Sequence, residues 1–156
     1  MPRLWTPPDQ AARTELLCWA EQRLQNVIFD RSRALPAAVM HGEQIAAVIV
    51  YHQHRGGTLE MTNAADTPRW ATKSVIAELL AWPFVVMGCR RITAIVRADN
   101  ARARRFDEGI GFEREGVLRD QFEGCDGILY GLTKRDWLAS RWSRIWQERH
   151  AHEEAA

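Results

Sequence analysis

The sequence lacks the features that mark membrane proteins, secreted proteins and nucleic-acid-binding domains. No run of about 18 apolar residues could cross a bilayer, and the N-terminal MPRLWTPPDQ has no apolar stretch of the signal-peptide kind. Lysine occurs only twice, and the formal net charge over 156 residues is +1, whereas nucleic-acid-binding domains usually carry a clear basic excess. We therefore expect a cytoplasmic protein, bacterial or phage-encoded, with neither a membrane nor a nucleic acid as partner.

Residues that bind metals are also sparse. Cys18, Cys89 and Cys125 are far apart and lack the paired spacing of zinc sites, so each is interpreted as a small buried hydrophobe. His52 and His54 share the spacing of a metal pair on a strand, but no third ligand is in register with them. They are predicted to be surface histidines, and no metal site is predicted.

The chain is long enough for one compact domain with its own core. Its hydrophobic fraction of 46% and charged fraction of 26% are those of an ordinary globular protein. We predict a single domain over residues 1–150 and a polar, frayed tail at residues 151–156.

Apolar periodicity predicts the order helix, three strands, helix, strand, helix, strand, strand, helix. The first helix covers residues 10–25 with no convincing strand before it, and the second is capped by Asp66 or Thr67 with Pro68 in its first turn. The last helix, residues 136–150, is amphipathic and rich in tryptophan. The fold class is therefore α/β in the α+β sense: a mixed, largely antiparallel sheet of about six strands, flanked by helices, with an extra C-terminal helix.

The stretch RADNARARRFDEGIGFEREGVLRD is the most informative part of the chain. Asn100 is placed to cap a short helix, and Arg102 and Arg105 share one side of it. The opposing apolar side consists of Ala103, Phe106 and Ile110. The plain interpretation of the two arginines is a solvated helix face.

With RWATKSVIAELLAWPF, CRRITAIVRADNARARRF and LYGLTKRDW, this stretch resembles the GNAT superfamily of acetyl-CoA-dependent N-acetyltransferases over residues 70–137. Within the superfamily, the chain resembles the branch of ribosomal-protein N-terminal acetyltransferases. The resemblance implies a GNAT-like fold, acetyl-CoA as co-substrate, and an amine acceptor such as a protein N-terminus, a lysine or a small amine. The first third of the chain matches the superfamily only in the order of its elements, with one helix where the superfamily often has two.

The pyrophosphate loop of that superfamily has the pattern Q/R-x-x-G-x-G/A, which falls here on DTPRWA. Only Ala71 conforms to it. Asp66 is negative where glutamine or arginine is usual, Pro68 has no N–H, and Arg69 replaces the first glycine. Arg69 could supply a charge-assisted contact to phosphate in place of the lost amide, but the same residues also fit a simple capped helix start.

By resemblance, the cofactor side is assigned to the following residues: Met61, Asn63, Arg69, Trp70, Ala71, Thr72, Asn100, Arg102 and Arg105. Glu60 is the candidate base that deprotonates the amine, and the alternative for it is a solvated strand residue. The short helix carries Phe106 and Ala103 where relatives often place a proton-donating tyrosine or serine. Tyr130 is the remaining phenol, and it is a candidate either for catalysis or for a structural role.

Two functions stay open at this level. The first is acetyl transfer by direct attack of an amine on the thioester, with proximity supplying most of the catalysis. The second is a non-catalytic GNAT-like binding or structural component, for example of a phage particle, which would make the protein virion-associated. In either case the C-terminal tryptophans are expected to pack on the sheet or to form a homo-oligomer contact.

Overall fold

A seven-stranded sheet forms the centre of the molecule in a computed structural model that describes residues 2–154. The strands are Arg3–Trp5 (β1), Leu35–His41 (β2), Gln44–Arg55 (β3), Thr58–Ala65 (β4), Arg91–Arg97 (β5), Glu113–Phe122 (β6) and Cys125–Thr133 (β7). The helices are Gln10–Glu21 (α1), Lys73–Ala81 (α2), Ala101–Gly109 (α3), Lys134–Leu138 (α4) and Arg141–Glu154 (α5). The strand order is β1-β2-β3-β4-β5-β7-β6, and every neighbouring pair is antiparallel except β4 and β5.

The sheet separates two hydrophobic cores, as the period-2 alternation along β3 illustrates. Val48 and Val50 pack into the core that contains Leu16 and Leu17 of α1. Ile49, between them, points to the other face and joins the larger core, which includes α2 and the C-terminal helices. The predicted mixed, largely antiparallel sheet with helices on both sides is therefore confirmed.

The N-terminal part of the chain differs from the prediction in one strand. β1 precedes α1 and pairs with β2, placing Arg3 opposite Met40, so the sheet has seven strands where about six were expected. At three residues, β1 is too short to show an apolar period. The single helix between β1 and β2 agrees with the prediction, since residues 22–34 contain no second one.

The second helix begins later than predicted because a short 3-10 turn, Pro68–Trp70, occupies its expected first turn. Thr67 caps that turn by accepting a hydrogen bond from the backbone N–H of Arg69 at 3.3 Å. Thr72 then caps α2 itself, where its hydroxyl accepts from the N–H of Val75 at 3.3 Å. The sequence suggested one cap, at Asp66 or Thr67, whereas the structure has two: Thr67 for the 3-10 turn and Thr72 for α2.

The C-terminal tryptophans belong to two helices, and two of their rings are buried. Trp142 donates its indole N–H to the carbonyl oxygen of Ile110 at 3.0 Å, and the Trp137 ring stacks on Phe84 with centroids 5.2 Å apart. These two rings fill the chain's own core, as the packing alternative expected, whereas Trp146 is partly exposed. The homo-oligomer contact stays a prediction.

The α5 helix continues to Glu154. The first four residues of the segment expected to be frayed are thus helical, while residues 155 and 156 lie outside the described residues. Cys89 is buried as predicted, whereas Cys18 and Cys125 are partly exposed. No helix within residues 2–154 has the length and apolar character to span a membrane.

Candidate functional site

The two parallel strands at the centre of the sheet separate from each other part-way along. β4 and β5 pair only through residues 58–60 and 91–93, although β4 continues to Ala65 and β5 to Arg97. A cleft of about 330 Å³ opens between the diverging segments, lined on its two sides by residues 60–63 and 94–97. The backbone groups of β4 that would otherwise bond to β5 face this cleft, where an extended ligand can pair with them.

The cleft is closed at its sides by segments distant in sequence. Residues 24–28, which follow α1, form one wall, and Gln121 and Phe122 at the end of β6 form another. Ile28 is 89% exposed, so this wall presents an apolar side chain to solvent beside the cleft. Residues 24–28 lie in the first third of the chain, which resembles the superfamily only in the order of its elements, whereas Gln121 and Phe122 lie within the part that carries the resemblance.

The third wall is one face of α3. Asn100, Ala103 and Asp107 all line the cleft, at the i, i+3, i+7 spacing that places residues on one side of a helix. Asn100 caps the helix, as predicted, by accepting a hydrogen bond from the N–H of Ala103 at 3.1 Å. Phe106 is turned away from the cleft, and its ring centroid lies 5.4 Å from that of Trp70.

This orientation corrects the sequence analysis, which placed Phe106 and Ala103 at the proton-donor positions. Ala103 does face the cleft, but the ionisable residue beside it is Asp107, one position after Phe106. Asp107 is only 4% exposed. Burial raises the pKa of its carboxyl group to about 7, and the negative charge of the neighbouring Glu108 contributes to that rise. No hydrogen bond to this carboxylate is formed by residues 2–154, so only the cleft offers it a partner.

The second carboxylate in the cleft is the predicted base, Glu60. Burial raises the pKa of Glu60, and the positive charge of Arg55 partly opposes that effect. One of its oxygens lies 3.9 Å from Nε2 of His52. Because burial lowers the pKa of His52 to about 4, the ring is neutral at pH 7, and this approach is a polar contact rather than an ion pair.

His52 is therefore a residue that the sequence analysis misplaced. Its side chain is 17% exposed, it lines the cleft, and its Nε2 lies 2.8 Å from the hydroxyl of Thr62. His54 does not share this environment and remains exposed. Gln53 between them has φ +52°, at a bulge where the register with β4 shifts, and such a bulge interrupts the alternation that a metal pair would need.

The segment assigned to pyrophosphate has most of its amides engaged within the chain. The N–H of Arg69 bonds to Thr67, that of Ala71 to the carbonyl of Pro68 at 3.3 Å, and that of Thr72 to the carbonyl of Trp70 at 3.0 Å. Pro68 has no N–H to offer. Any anion at this point must therefore be met largely by side chains and by the first amides of α2.

The negative charge of Asp66 is neutralised by a residue that follows the C-terminal end of α1. Arg23 donates from Nε to the carboxylate of Asp66 at 2.6 Å, and this lowers the pKa of Asp66. The guanidinium also lies 3.4 Å from the centroid of the Trp19 ring. Asp66, whose negative charge is the least compatible with a bound phosphate, is therefore already paired with Arg23.

Unpaired cationic side chains lie at the N-terminal parts of α2 and α3. The buried Trp70, just before α2, packs against Phe106 of α3 and so holds these two regions together. Arg69, Arg102 and Arg105 are exposed, and within residues 2–154 they form no ion pair. Lys73, the first residue of α2, is also exposed and was not singled out from the sequence.

Tyr130 lies under α3 and is completely buried. Its hydroxyl donates to a carboxylate oxygen of Glu108 at 2.8 Å, and burial raises the pKa of this phenol. It is not among the residues that line the cleft. This arrangement favours the structural alternative for Tyr130 over the catalytic one.

Of the residues assigned from the sequence, four line the cleft: Glu60, Met61, Asn63 and Asn100. The remaining ones lie at the helix ends outside it or, like Tyr130, beneath α3. Asp107 and His52 were missed. The spacing from the Asn100 cap could have identified Asp107, because the seventh residue after a cap completes two helical turns and returns to the same face.

No family model and no curated protein matches this sequence. Solved structures do match. A candidate acetyltransferase from T. thermophilus is 25% identical, with a TM-score of 0.63 over 74% of this chain and 66% of that chain. A chimera of the spermidine N-acetyltransferase SpeG from Vibrio cholerae and hSSAT has a TM-score of 0.71 at 14% identity, over 88% of this chain and 98% of that chain. The ribosomal-protein-S18-alanine N-acetyltransferase from Escherichia coli has a TM-score of 0.65 at 17% identity, over 85% of this chain and 94% of that chain.

The fold is that of the GNAT acetyltransferases. The predicted resemblance and fold class are thereby confirmed. Because the chain spans 66% of the length of the first of these structures and the identities with the other two are 14% and 17%, the likeness establishes the GNAT fold and leaves activity to be argued from the cleft.

Proposed function

We propose that this chain is an N-acetyltransferase that transfers the acetyl group of acetyl-CoA directly to an amine. The divergence of β4 and β5 is the observation that supports this function best. It leaves the edge of β4 open beside a cleft that is lined by ionisable side chains. The amide-containing pantetheine arm of acetyl-CoA can pair with this edge while an amine approaches Glu60. Holding the two reactants together in this way supplies much of the rate enhancement.

The co-substrate is assigned to two parts of the site. Backbone groups of Met61 and Asn63 would pair with the amides of the pantetheine arm, and Asn100 would contact the arm from the opposite wall. Phosphates would be neutralised by Arg69 and Lys73 at the start of α2, where the helix dipole also favours an anion.

Two further arginines, Arg102 and Arg105, extend the same positive region on α3. Since the amides of Arg69, Ala71 and Thr72 are engaged internally, charge-assisted contacts from side chains carry more of the phosphate binding than in a glycine-rich loop. Trp70 has a supporting role, because it holds the start of α2 against α3.

Glu60 is the proposed general base for the amine. Its raised pKa brings it closer to neutrality, where a base is most effective. The neighbouring His52 is neutral, and at 3.9 Å from the Glu60 carboxylate it can reach Glu60 only through a bridging water. By their names, the matching E. coli and Vibrio cholerae enzymes act on an alanine of a ribosomal protein and on spermidine, so an amine is the acceptor class that we propose here.

The test is thermal unfolding with and without acetyl-CoA, followed by release of free thiol in the presence of a panel of amines. At a concentration of about 100 times Kd, a bound ligand adds roughly 2.7 kcal/mol to the free energy of unfolding. A shift together with amine-dependent thiol release supports the enzyme. If millimolar acetyl-CoA produces no shift, the proposal is wrong, and the non-catalytic GNAT-like component is the function that remains.

A further inference from the structure

Asp107 is a buried carboxyl group that faces the cleft without a partner. It lines the cleft from α3, as Glu60 does from β4, and residues 2–154 provide no hydrogen bond to its side-chain oxygens. Holding a carboxylate in so buried a position, with only the cleft to solvate it, is costly, so its presence on the cleft wall requires an explanation. An asparagine or alanine here would fill the same position on the helix without that cost.

We propose that Asp107, as a neutral carboxylic acid, donates a proton to the sulfur of coenzyme A when the thioester C–S bond breaks. This inference rests on the proposed acetyltransferase function. The amine nitrogen forms a bond to the acetyl carbon, and the carbonyl π pair moves to oxygen. When the carbonyl reforms, the C–S bonding pair leaves with sulfur, which takes the proton of Asp107.

The protons balance through the two carboxyl groups of the cleft. Glu60 accepts the proton that the amine loses, and Asp107 supplies the one that sulfur gains. After the products leave, one proton passes from Glu60 to Asp107 through water, which restores both groups. The net change is the transfer of one proton from nitrogen to sulfur, with no oxidant, reductant or metal required.

No other residue on the α3 wall can serve this purpose. Ala103 has no ionisable hydrogen, Phe106 packs on Trp70, and the hydroxyl of Tyr130 is bonded to Glu108. Asp107, by contrast, is neutral in about half of the molecules near pH 7, because burial raises its pKa to about 7. A general acid is most effective when its pKa lies near the working pH.

The ionisation of Asp107 is set by its whole surroundings. The titratable and charged groups that line the same cleft are His52 from β3, Glu60 from β4, and Arg97 from β5 with its partner Asp99. On its own helix, the neighbouring Glu108 acts on it as well. Of these, Glu108 is the one whose charge contributes to the raised pKa of Asp107. Since Arg97 is paired with Asp99 and His52 is neutral, neither offsets the effect of burial.

The experiment compares Asp107→Asn with the wild type and with Asp136→Asn, a change to an exposed aspartate at the start of α4. For each protein, kcat is measured against pH at saturating acetyl-CoA, and Kd for acetyl-CoA is measured separately. We expect Asp107→Asn to lower kcat about 100-fold and to remove the fall in rate above pH 7, with Kd changed less than about threefold. Asp136→Asn should match the wild type, and Asp107→Glu should recover part of the rate.

A second measurement does not depend on turnover. Carbon-13 NMR of labelled aspartate carboxyl groups in the free protein should show one group titrating near pH 7, and Asp107→Asn should lack that signal. Titration of Asp107 below pH 5, or kcat within about threefold of wild type with the same basic limb, would overturn the inference while leaving the enzyme intact. Failure of the wild type to bind acetyl-CoA would instead overturn the proposed function, and this inference with it.

Discussion

The Phe106 ring packs against the Trp70 ring with centroids 5.4 Å apart, and this contact fixes the rotation of α3 about its own axis. Successive residues of a helix point about 100° apart, so a Phe106 side chain that faces Trp70 leaves the next residue, Asp107, to face the cleft. The same contact joins the start of α2, where phosphates are expected, to the helix that carries the proposed acid. A core interaction thus positions two parts of the site.

Replacing Phe106 with alanine should therefore affect both stability and catalysis. Loss of the partly buried ring is expected to lower the free energy of unfolding by about 2 to 3 kcal/mol, as measured by urea denaturation. Phe106→Leu should lose less than half as much. If Phe106→Ala left kcat unchanged despite the loss of stability, the contact would not orient Asp107.

Asp107 should destabilise the fold at alkaline pH. Its folded pKa of about 7 exceeds its unfolded value of about 3.9, so the cost is absent below pH 4 and grows until the folded group is ionised, near pH 8. Asp107→Asn is therefore expected to raise the free energy of unfolding by on the order of 2 to 4 kcal/mol at pH 8 and by much less at pH 4. A pH-independent difference between the two proteins would contradict the raised pKa.

Glu60→Gln should remove the opposite limb of the pH profile. As the proposed base, Glu60 must be ionised, so the wild-type rate should fall as the pH drops through its pKa, which burial raises. The variant is expected to lose kcat about 100-fold and to show no such acidic limb, while its affinity for acetyl-CoA is retained. An unaltered acidic limb in steady-state kinetics would assign that ionisation to another group.

The two lysines of the chain form a matched pair for testing phosphate binding. Lys73 begins α2, and Lys134 begins α4. Charge-assisted hydrogen bonds contribute about 1.5 to 3 kcal/mol each, so Arg69→Ala and Lys73→Ala should each weaken acetyl-CoA binding about tenfold or more. Lys134→Ala should leave the Kd for acetyl-CoA unchanged. Equal Kd values in all three variants, measured by titration calorimetry, would mean that phosphate lies elsewhere.

Asn100 has a helix-capping role that can be separated from its proposed contact with the pantetheine arm. Asn100→Ala should cost about 1 kcal/mol of stability through loss of the cap, whereas Asn100→Ser should keep the cap. If Asn100 also contacts the ligand, both variants should raise Kd for acetyl-CoA. If Asn100→Ser binds acetyl-CoA with the wild-type Kd, Asn100 does not contact the ligand and serves only as the helix cap.

Much of the local structure could be predicted from short-range patterns. Apolar periodicity identified the order of helices and strands after β1, except that the single last helix expected over residues 136–150 is two helices, α4 and α5. The capping preference of asparagine placed the start of α3 correctly. Pro68 was correctly assigned to a first turn, although the turn is 3-10 and α2 starts at Lys73. These features depend on residues within a few positions of one another, which is the range that sequence patterns cover.

The cleft itself depends on contacts between distant residues. Where β4 leaves β5 is decided by strand pairing, and the charge of Asp66 is neutralised by Arg23, 43 positions away. The class of fold, the resemblance to the GNAT enzymes and the cap at Asn100 could all be inferred from the order of residues alone. That Asp107 rather than Phe106 faces the cleft, and that its acidity is altered, became visible only in the folded chain, because helix rotation and desolvation arise from packing between elements that are far apart in the chain.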